Sequence, residues 1–271
     1  MLTEEKSSIQ PLPESVNTAI GNLSHPITHE IGNTLGELWY LVFGNIHQKA
    51  EEKKLRIAHS LNQYRKELVN SISCIPEEYR QEAKLQIAGP ALEISKYCIE
   101  ESKLREMFVN LISSSVDTRK SSQVHPSFAE IISQMSPVDA QNLSLFRTNY
   151  CAYIPLPICK YIGVAGVSSY TTLYTHIFLE NKEQSQNYAQ QSASISSLER
   201  LGLITISYDQ QLNSDEKYSK FYDDPLYLSC KYGVVDGTIF DEYPEITGVS
   251  IQKGLAALTP LGEQFASICL G

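Results

Sequence analysis

The chain has 271 residues, of which 42% are hydrophobic, so it can bury a core without the help of disulfides or metal ions. Its apolar runs are far shorter than the roughly 18 residues of a membrane span, and its N-terminus has acidic residues where a signal peptide needs basic and apolar ones. The six cysteines occur singly, without the spacing of a zinc site, and the net charge of −9 disfavours a protein that neutralises many phosphates. We therefore expect a cytoplasmic protein with no metal and no cofactor.

Helical periodicity dominates the first 147 residues. Residues 1–23 are polar and contain prolines, which is typical of a loosely ordered segment. In residues 24–147 apolar side chains recur every three or four positions, and the resulting series of helices with short loops predicts a helical bundle. Trp39, Tyr40 and Phe43 form an aromatic cluster on the first amphipathic helix, which favours a core or an oligomer interface over a membrane surface.

Three histidines and one aspartate in this half are candidates for chemistry. His25 and His29 are one helical turn apart, a spacing that suits two metal ligands, but no third ligand follows, so we interpret them as a surface face. His125 precedes Pro126 and is expected to start a helix that buries Phe128. Asp139 is expected to stabilise a helix start and not to act in catalysis. The sequence therefore predicts no catalytic group.

The pattern changes after residue 147, and residues 148–271 predict an α+β domain. The segment SISSLERLGLITIS predicts a helix that Gly202 ends in a left-handed conformation, followed by a strand. The segment GLAALTPLGEQFASICL predicts a second strand and a last helix that starts at Thr259 and Pro260 and turns Phe265 inward. A helix, a hairpin and a closing helix in this order predict a winged helix.

A long insertion, residues 208–252, separates the two strands of this hairpin. Its aromatic rings are interleaved with acidic residues, and connections of this length are usually functional or disordered. Residues 226–228 and 234–235 predict short, packed strands. The segment that contains Tyr218, Phe221 and Tyr222 has the least regular period. The rings of the insertion either cover the hairpin and the bundle or present a surface to a partner. For these three side chains we expect exposure and contact with a partner.

Two blocks of the sequence carry a resemblance to a known family. One is LREMFVNLISSSVDTRKSSQVHPSFAEIISQMSPVDAQNL, from Leu104 to Leu143, and the other is the pairing of SLERLGLITI with LTPLGEQFASICL. The chain resembles the bacterial abortive-infection alpha family, whose members have an HPxFxEIIxQxSPxDA block in a helical region and a C-terminal LTxxGxxF helix. The resemblance implies a link to phage defence and brings no catalytic residues with it.

The first functional hypothesis is a non-enzymatic, cytoplasmic phage-defence protein that acts through protein–protein contacts. Its partner would be a protein, and a phage-encoded protein is one candidate. The trigger, the target and a homo-oligomeric state are left open by the sequence.

A winged-helix DNA-binding regulator is the alternative hypothesis. Its contact residues would lie on the helix before the hairpin. Residues 151–271 hold 7 Lys and Arg against 13 Asp and Glu, and this negative charge balance disfavours binding to duplex DNA. A second alternative is a membrane-active toxin that uses the N-terminal amphipathic helix. The DNA-contact candidates are Tyr188, Gln190, Gln191, Ser194 and Arg200.

Overall fold

The structure is a computed structural model, in which the chain divides into two compact units between Ser133 and Gln134. The segment 1–23 and the pair His25 and His29 lie outside the described residues. The domain boundary expected near residue 147 stays a prediction. The structure describes residues 32–43, 51–148, 152–166, 169–181, 187–236 and 246–271, without the side chains of 51–58 and 235–236.

The described part of the first unit consists of helices and the turns between them. The apolar face of its first helix is packed, since Trp39 and Phe43 are fully buried against Tyr64, with ring centroids 5.3 and 6.1 Å from that ring. The core interpretation is thus confirmed for these two rings, whereas Tyr40 is 50% exposed. The helices are α1 (Asn33–Phe43), α2 (Glu51–Ser73), α3 (Leu85–Ser95), α4 (Ser102–Val116) and α5 (Phe128–Ser133).

Helix α4 is the centre of this unit, because α2, α3 and α5 all pack against it. Its one buried charge, Arg105, is compensated: two guanidinium nitrogens donate to the Glu67 carboxylate at 2.9 and 3.0 Å, and a third donates to the Ile99 carbonyl at 2.7 Å. A buried charge that is paired in this way is costly to break, because its partner would be left unpaired.

Two predicted helix starts are confirmed. The Nδ1 atom of His125 accepts a hydrogen bond from the Ser127 backbone N–H at 3.2 Å, and Phe128 is fully buried. The Ser136 hydroxyl accepts from the Asp139 N–H at 3.2 Å, and the Asp139 carboxylate accepts from the Ser136 N–H at 2.8 Å. This reciprocal pair satisfies two backbone donors that a helix start leaves free.

The second unit contains a four-stranded antiparallel sheet in the order β2-β1-β4-β3, so the described fold is α+β. Helix α7 packs on β2, β3 and α6, while α10 follows directly on β4. The strands are β1 (Leu156–Ala165), β2 (Ser169–Ile177), β3 (Ile204–Ser207) and β4 (Gly248–Leu258). The helices are α6 (Pro137–Ser144), α7 (Tyr188–Arg200), α8 (Ser219–Tyr222), α9 (Pro225–Asp236) and α10 (Pro260–Cys269).

The local elements predicted at the C-terminus are present. Gly202 has φ +72° directly after α7, which is the left-handed conformation expected there. The Thr259 hydroxyl accepts from the Gly262 N–H at 2.9 Å and starts α10, with Pro260 at its first position. Strand β4 is longer than expected, because it begins at Gly248 and pairs with β1 before it reaches β3.

The two short strands expected within the insertion are wrong, since residues 225–236 form helix α9. Pro225 occupies the first helical position, where its missing N–H costs nothing, and the Leu228 N–H donates to the Asp224 carbonyl at 3.0 Å. The residues expected at strand positions are therefore helical, and the helix contacts β4.

Candidate functional site on the insertion

The insertion between β3 and β4 is anchored on the sheet by its aromatic rings. Tyr218 and Phe221 are fully buried, and together with Tyr227 they form a core cluster with Cys159 and Tyr161 of β1. The prediction that Tyr218 and Phe221 remain exposed is therefore wrong. The acidic residues around them led to that prediction, but the large apolar area of the rings is covered by the sheet.

The hydroxyl of Tyr218 ties the insertion to β4. It donates to the Gly254 carbonyl at 2.8 Å and accepts from the Leu212 N–H at 2.9 Å. Gly254 also permits a close approach, since a Cβ at this position would lie 2.7 Å from the Tyr208 ring. The insertion is thus fixed at its start by a buried, fully hydrogen-bonded phenol.

A buried carboxylate fixes the insertion a second time. Asp224 is 5% exposed, and its two oxygens accept hydrogen bonds at 2.7 Å from the hydroxyls of Tyr161 on β1 and Tyr188 on α7. Bonds to an ionised acceptor are stronger than neutral ones. We call Asp224, Tyr161 and Tyr188 the carboxylate clamp. Both oxygens of the carboxylate are engaged in it, which favours a structural role over proton transfer.

The pKa values of the phenols in and near the clamp are raised. Burial, followed by the bond to Asp224, raises the pKa of Tyr188 to about 12, and the same two causes raise the pKa of Tyr161 well above its usual range. Burial also raises the pKa of Tyr208 to about 12. The neutral phenols are therefore favoured in the folded protein.

Alkaline pH is expected to destabilise the protein for this reason. The unfolded chain releases these phenol protons near the ordinary pKa of 10.0, whereas Tyr188 holds its proton until about pH 12. The stabilisation is therefore complete below about pH 10 and is lost as the pH rises through the folded value. Urea midpoints measured from about pH 8 to about pH 11 should fall, and Tyr188→Phe should reduce the slope. A slope for Tyr188→Phe equal to that of the wild type would contradict the role of the clamp.

In the described part of the insertion, residues 208–236 and 246–252, two aromatic rings are exposed. Tyr222 is 44% exposed and lies edge-on to Tyr227 with ring centroids 5.9 Å apart, while Tyr232 on α9 is 64% exposed. Of the three partner-binding candidates, only Tyr222 is thus placed at the surface. Tyr232 was missed because residues 226–228 and 234–235 were predicted as strands, and the sequence of α9 has no distinct polar face that would have indicated it.

The five DNA-contact candidates do not form one accessible face. Gln191 and Ser194 are buried, and both accept from the Asn142 side-chain amide at 2.9 Å. Arg200 is exposed and donates to Gln134 at 3.0 Å, and the Tyr188 hydroxyl belongs to the carboxylate clamp. Gln190 is exposed, and its backbone N–H is capped by the Asn187 side chain at 3.2 Å.

The described parts of the chain contain no group of three or more His, Cys, Asp or Glu side chains that is arranged to hold a metal ion. Within the same ranges, no helix combines the length and hydrophobicity required to cross a membrane.

The family described as abortive infection alpha matches residues 56–269, which include α3 to α10 and the four strands of the sheet. No curated protein and no solved structure matches the chain.

Proposed function

Since the chain belongs to the abortive infection alpha family, we propose that it is a cytoplasmic phage-defence protein that acts through contacts with a protein partner and catalyses no reaction. The observation that carries this proposal is the pair of exposed rings, Tyr222 and Tyr232, next to the buried Tyr218 and Asp224 that fix this segment to the sheet. Tyrosine contributes a large contact area at low entropic cost, and side chains held in place before binding lose little freedom in a complex.

The second part of the proposal concerns the fold. Helix α7, the β3–β4 hairpin and α10 follow one another as in a winged helix, and the insertion occupies the place of the wing. In this interpretation the helix that often reads DNA is turned inward through Gln191 and Ser194, and the wing carries the contact surface.

The alternatives have less support. A DNA-binding regulator would need several free basic side chains on α7, which has only Arg200. A toxin that acts through α1 would need a free apolar face on that helix, whereas Leu35, Trp39 and Phe43 are buried.

Replacing both exposed tyrosines is expected to abolish defence without unfolding the protein. Truncation of a central aromatic contact commonly costs about 2 kcal/mol or more, so Tyr222→Ser with Tyr232→Ser should weaken partner binding on the order of 100-fold or more. Plaque formation on cells that express the variant should then match that on cells without the protein, and the melting temperature should stay near wild type.

The control for this variant is Tyr97→Ser, which removes a 79% exposed tyrosine from the first unit. It is expected to keep full protection. Full protection by the double variant would remove the two rings from the mechanism, and lost protection in Tyr97→Ser would show that exposed tyrosines act without regard to position.

A further inference from the structure

Strand β2 lies at the edge of the sheet and pairs with β1 alone among the described strands. Tyr170 is 67% exposed and Tyr174 is 42% exposed, and Thr172 between them is exposed as well. An edge strand presents a row of backbone donors and acceptors that can pair with another chain. Near Ile177 this row is partly used, because the Thr175 carbonyl accepts from the Ser192 hydroxyl at 3.0 Å and the His176 N–H donates to the Tyr208 hydroxyl at 3.2 Å. The exposed part of the edge among the described residues is therefore its hairpin end.

Proteins usually block such an edge with lysines, glutamates, prolines or a very short strand. Strand β2, SYTTLYTHI, has none of those residue types and is 9 residues long, whereas the other edge strand, β3, has 4. A shift of register follows Thr172, so the regular part of the edge is the segment from Ser169 to Thr172 at the hairpin end. This shift is a β-bulge. It limits regular pairing with another chain to Ser169–Thr172 and does not block that segment.

We propose that two copies of this chain pair through β2, antiparallel about a two-fold axis, and so join their sheets. The charge distribution favours a second copy as the occupant. The strand has no Asp, Glu, Lys or Arg in a chain of net charge −9, so self-pairing puts no like charges opposite each other. A strongly charged peptide would find no counter-charge on this strand.

The pleat of the strand determines which residues of the two β2 strands lie opposite each other. Residues directly opposite in a continuous sheet point to the same face, so the two-fold axis passes through a residue and not between two. With the axis at Thr171, Tyr170 of each copy lies opposite Thr172 of the other. Both side chains are exposed in one copy and would be covered in the pair. An aromatic side chain beside a β-branched one is a favourable cross-strand pair.

The dimer is expected to be weak. One strand pair buries less than the roughly 1,200 Å² of a standard specific interface. Charges elsewhere on the two acidic chains are screened beyond about 8 Å at physiological salt, so they do not prevent pairing. Sedimentation of the full chain should show a monomer–dimer equilibrium with a dissociation constant on the order of 10–100 μM.

Charge exchange at Thr172 tests the interface. In Thr172→Glu and in Thr172→Lys the like charges of two copies come within about 8 Å across the axis, so each variant alone should dimerise about two- to fivefold more weakly. An equimolar mixture of the two places opposite charges across the axis and should dimerise at least as tightly as the wild type. Circular dichroism melting should confirm that both variants fold.

The matched control is Thr205, which is exposed on the other edge strand, β3. Thr205→Glu and Thr205→Lys should leave the dimer unchanged. A wild-type chain that stays monomeric to about 300 μM overturns the proposal, as does a mixture of the Thr172 variants that does no better than either alone. Neither result bears on defence through Tyr222 and Tyr232, because the two surfaces share no residue.

Discussion

Replacing Phe265 with alanine is expected to lower the free energy of unfolding by about 3–5 kcal/mol. Phe265 lies on α10 with no exposed surface, in the region where Leu198 and Leu203 are also fully buried. The helix has little room to move into the cavity, because Gly262 already brings its backbone against the Leu203 carbonyl: a Cβ there would lie 1.9 Å from that oxygen. A cavity that cannot collapse keeps the full cost of the lost contacts.

Urea denaturation measures this loss. The slope of the unfolding free energy against urea concentration should be the same for the variant and the wild type, so that the shift of the midpoint reports stability. Glu263→Ala is its control, because Glu263 is an exposed neighbour on the same helix, and surface substitutions usually stay within about 0.5 kcal/mol. A Phe265→Ala midpoint equal to that of the control would show that α10 does not close the core of the second unit.

Removing the carboxylate of the clamp is expected to be nearly as costly. Asp224→Ala takes the acceptor from two phenols, and hydrogen bonds to charged groups contribute about 1.5–3 kcal/mol each, so we expect a loss of about 3 kcal/mol. The buried hydroxyl of Tyr161 is left with one weaker contact, the Phe221 carbonyl at 3.4 Å. The control is Asp223→Ala, because Asp223 directly precedes Asp224 and is exposed. This variant removes the same charge from the same turn and should have little effect on stability.

A double-mutant cycle separates the clamp from general damage. Tyr161→Phe should cost less than Asp224→Ala, and the double variant should cost less than the sum, with a coupling energy of about 1–3 kcal/mol. Additive losses would show that the two side chains do not depend on each other. Equal losses for Asp223→Ala and Asp224→Ala would show that charge, and not the clamp, determines stability.

The parts of the fold that sequence predicts are those with a local cause. A hydroxyl followed by proline starts a helix through bonds within one turn, as at Ser136 and Thr259, and Gly202 ends one because it adopts the left-handed conformation readily. Asp224 and Pro225 form the same kind of pattern. The prediction of strands rests only on the apolar residues that follow this pattern, and the helix start was missed.

The parts that were missed depend on contacts between distant residues. Tyr218 is buried because Gly254 of β4 and Cys159 of β1 lie beneath the insertion, and no local pattern reports that. The carboxylate clamp joins three separate elements through Asp224 in the same way. The sequence alone therefore does not distinguish the exposed aromatic rings of the candidate site from the buried ones.

The strand order has a consequence for the biosynthesis of the protein. Strand β1 forms a hairpin with β2 early, but its other edge pairs with β4, so that Leu156 meets Ala256. Closing so long a segment is slow, because chain entropy is lost before the contacts form. During translation the inner edge of β1 stays open until the last strand has left the ribosome. Chaperone binding and aggregation of nascent chains should therefore concentrate on β1, and chains truncated before β4 should be the most affected.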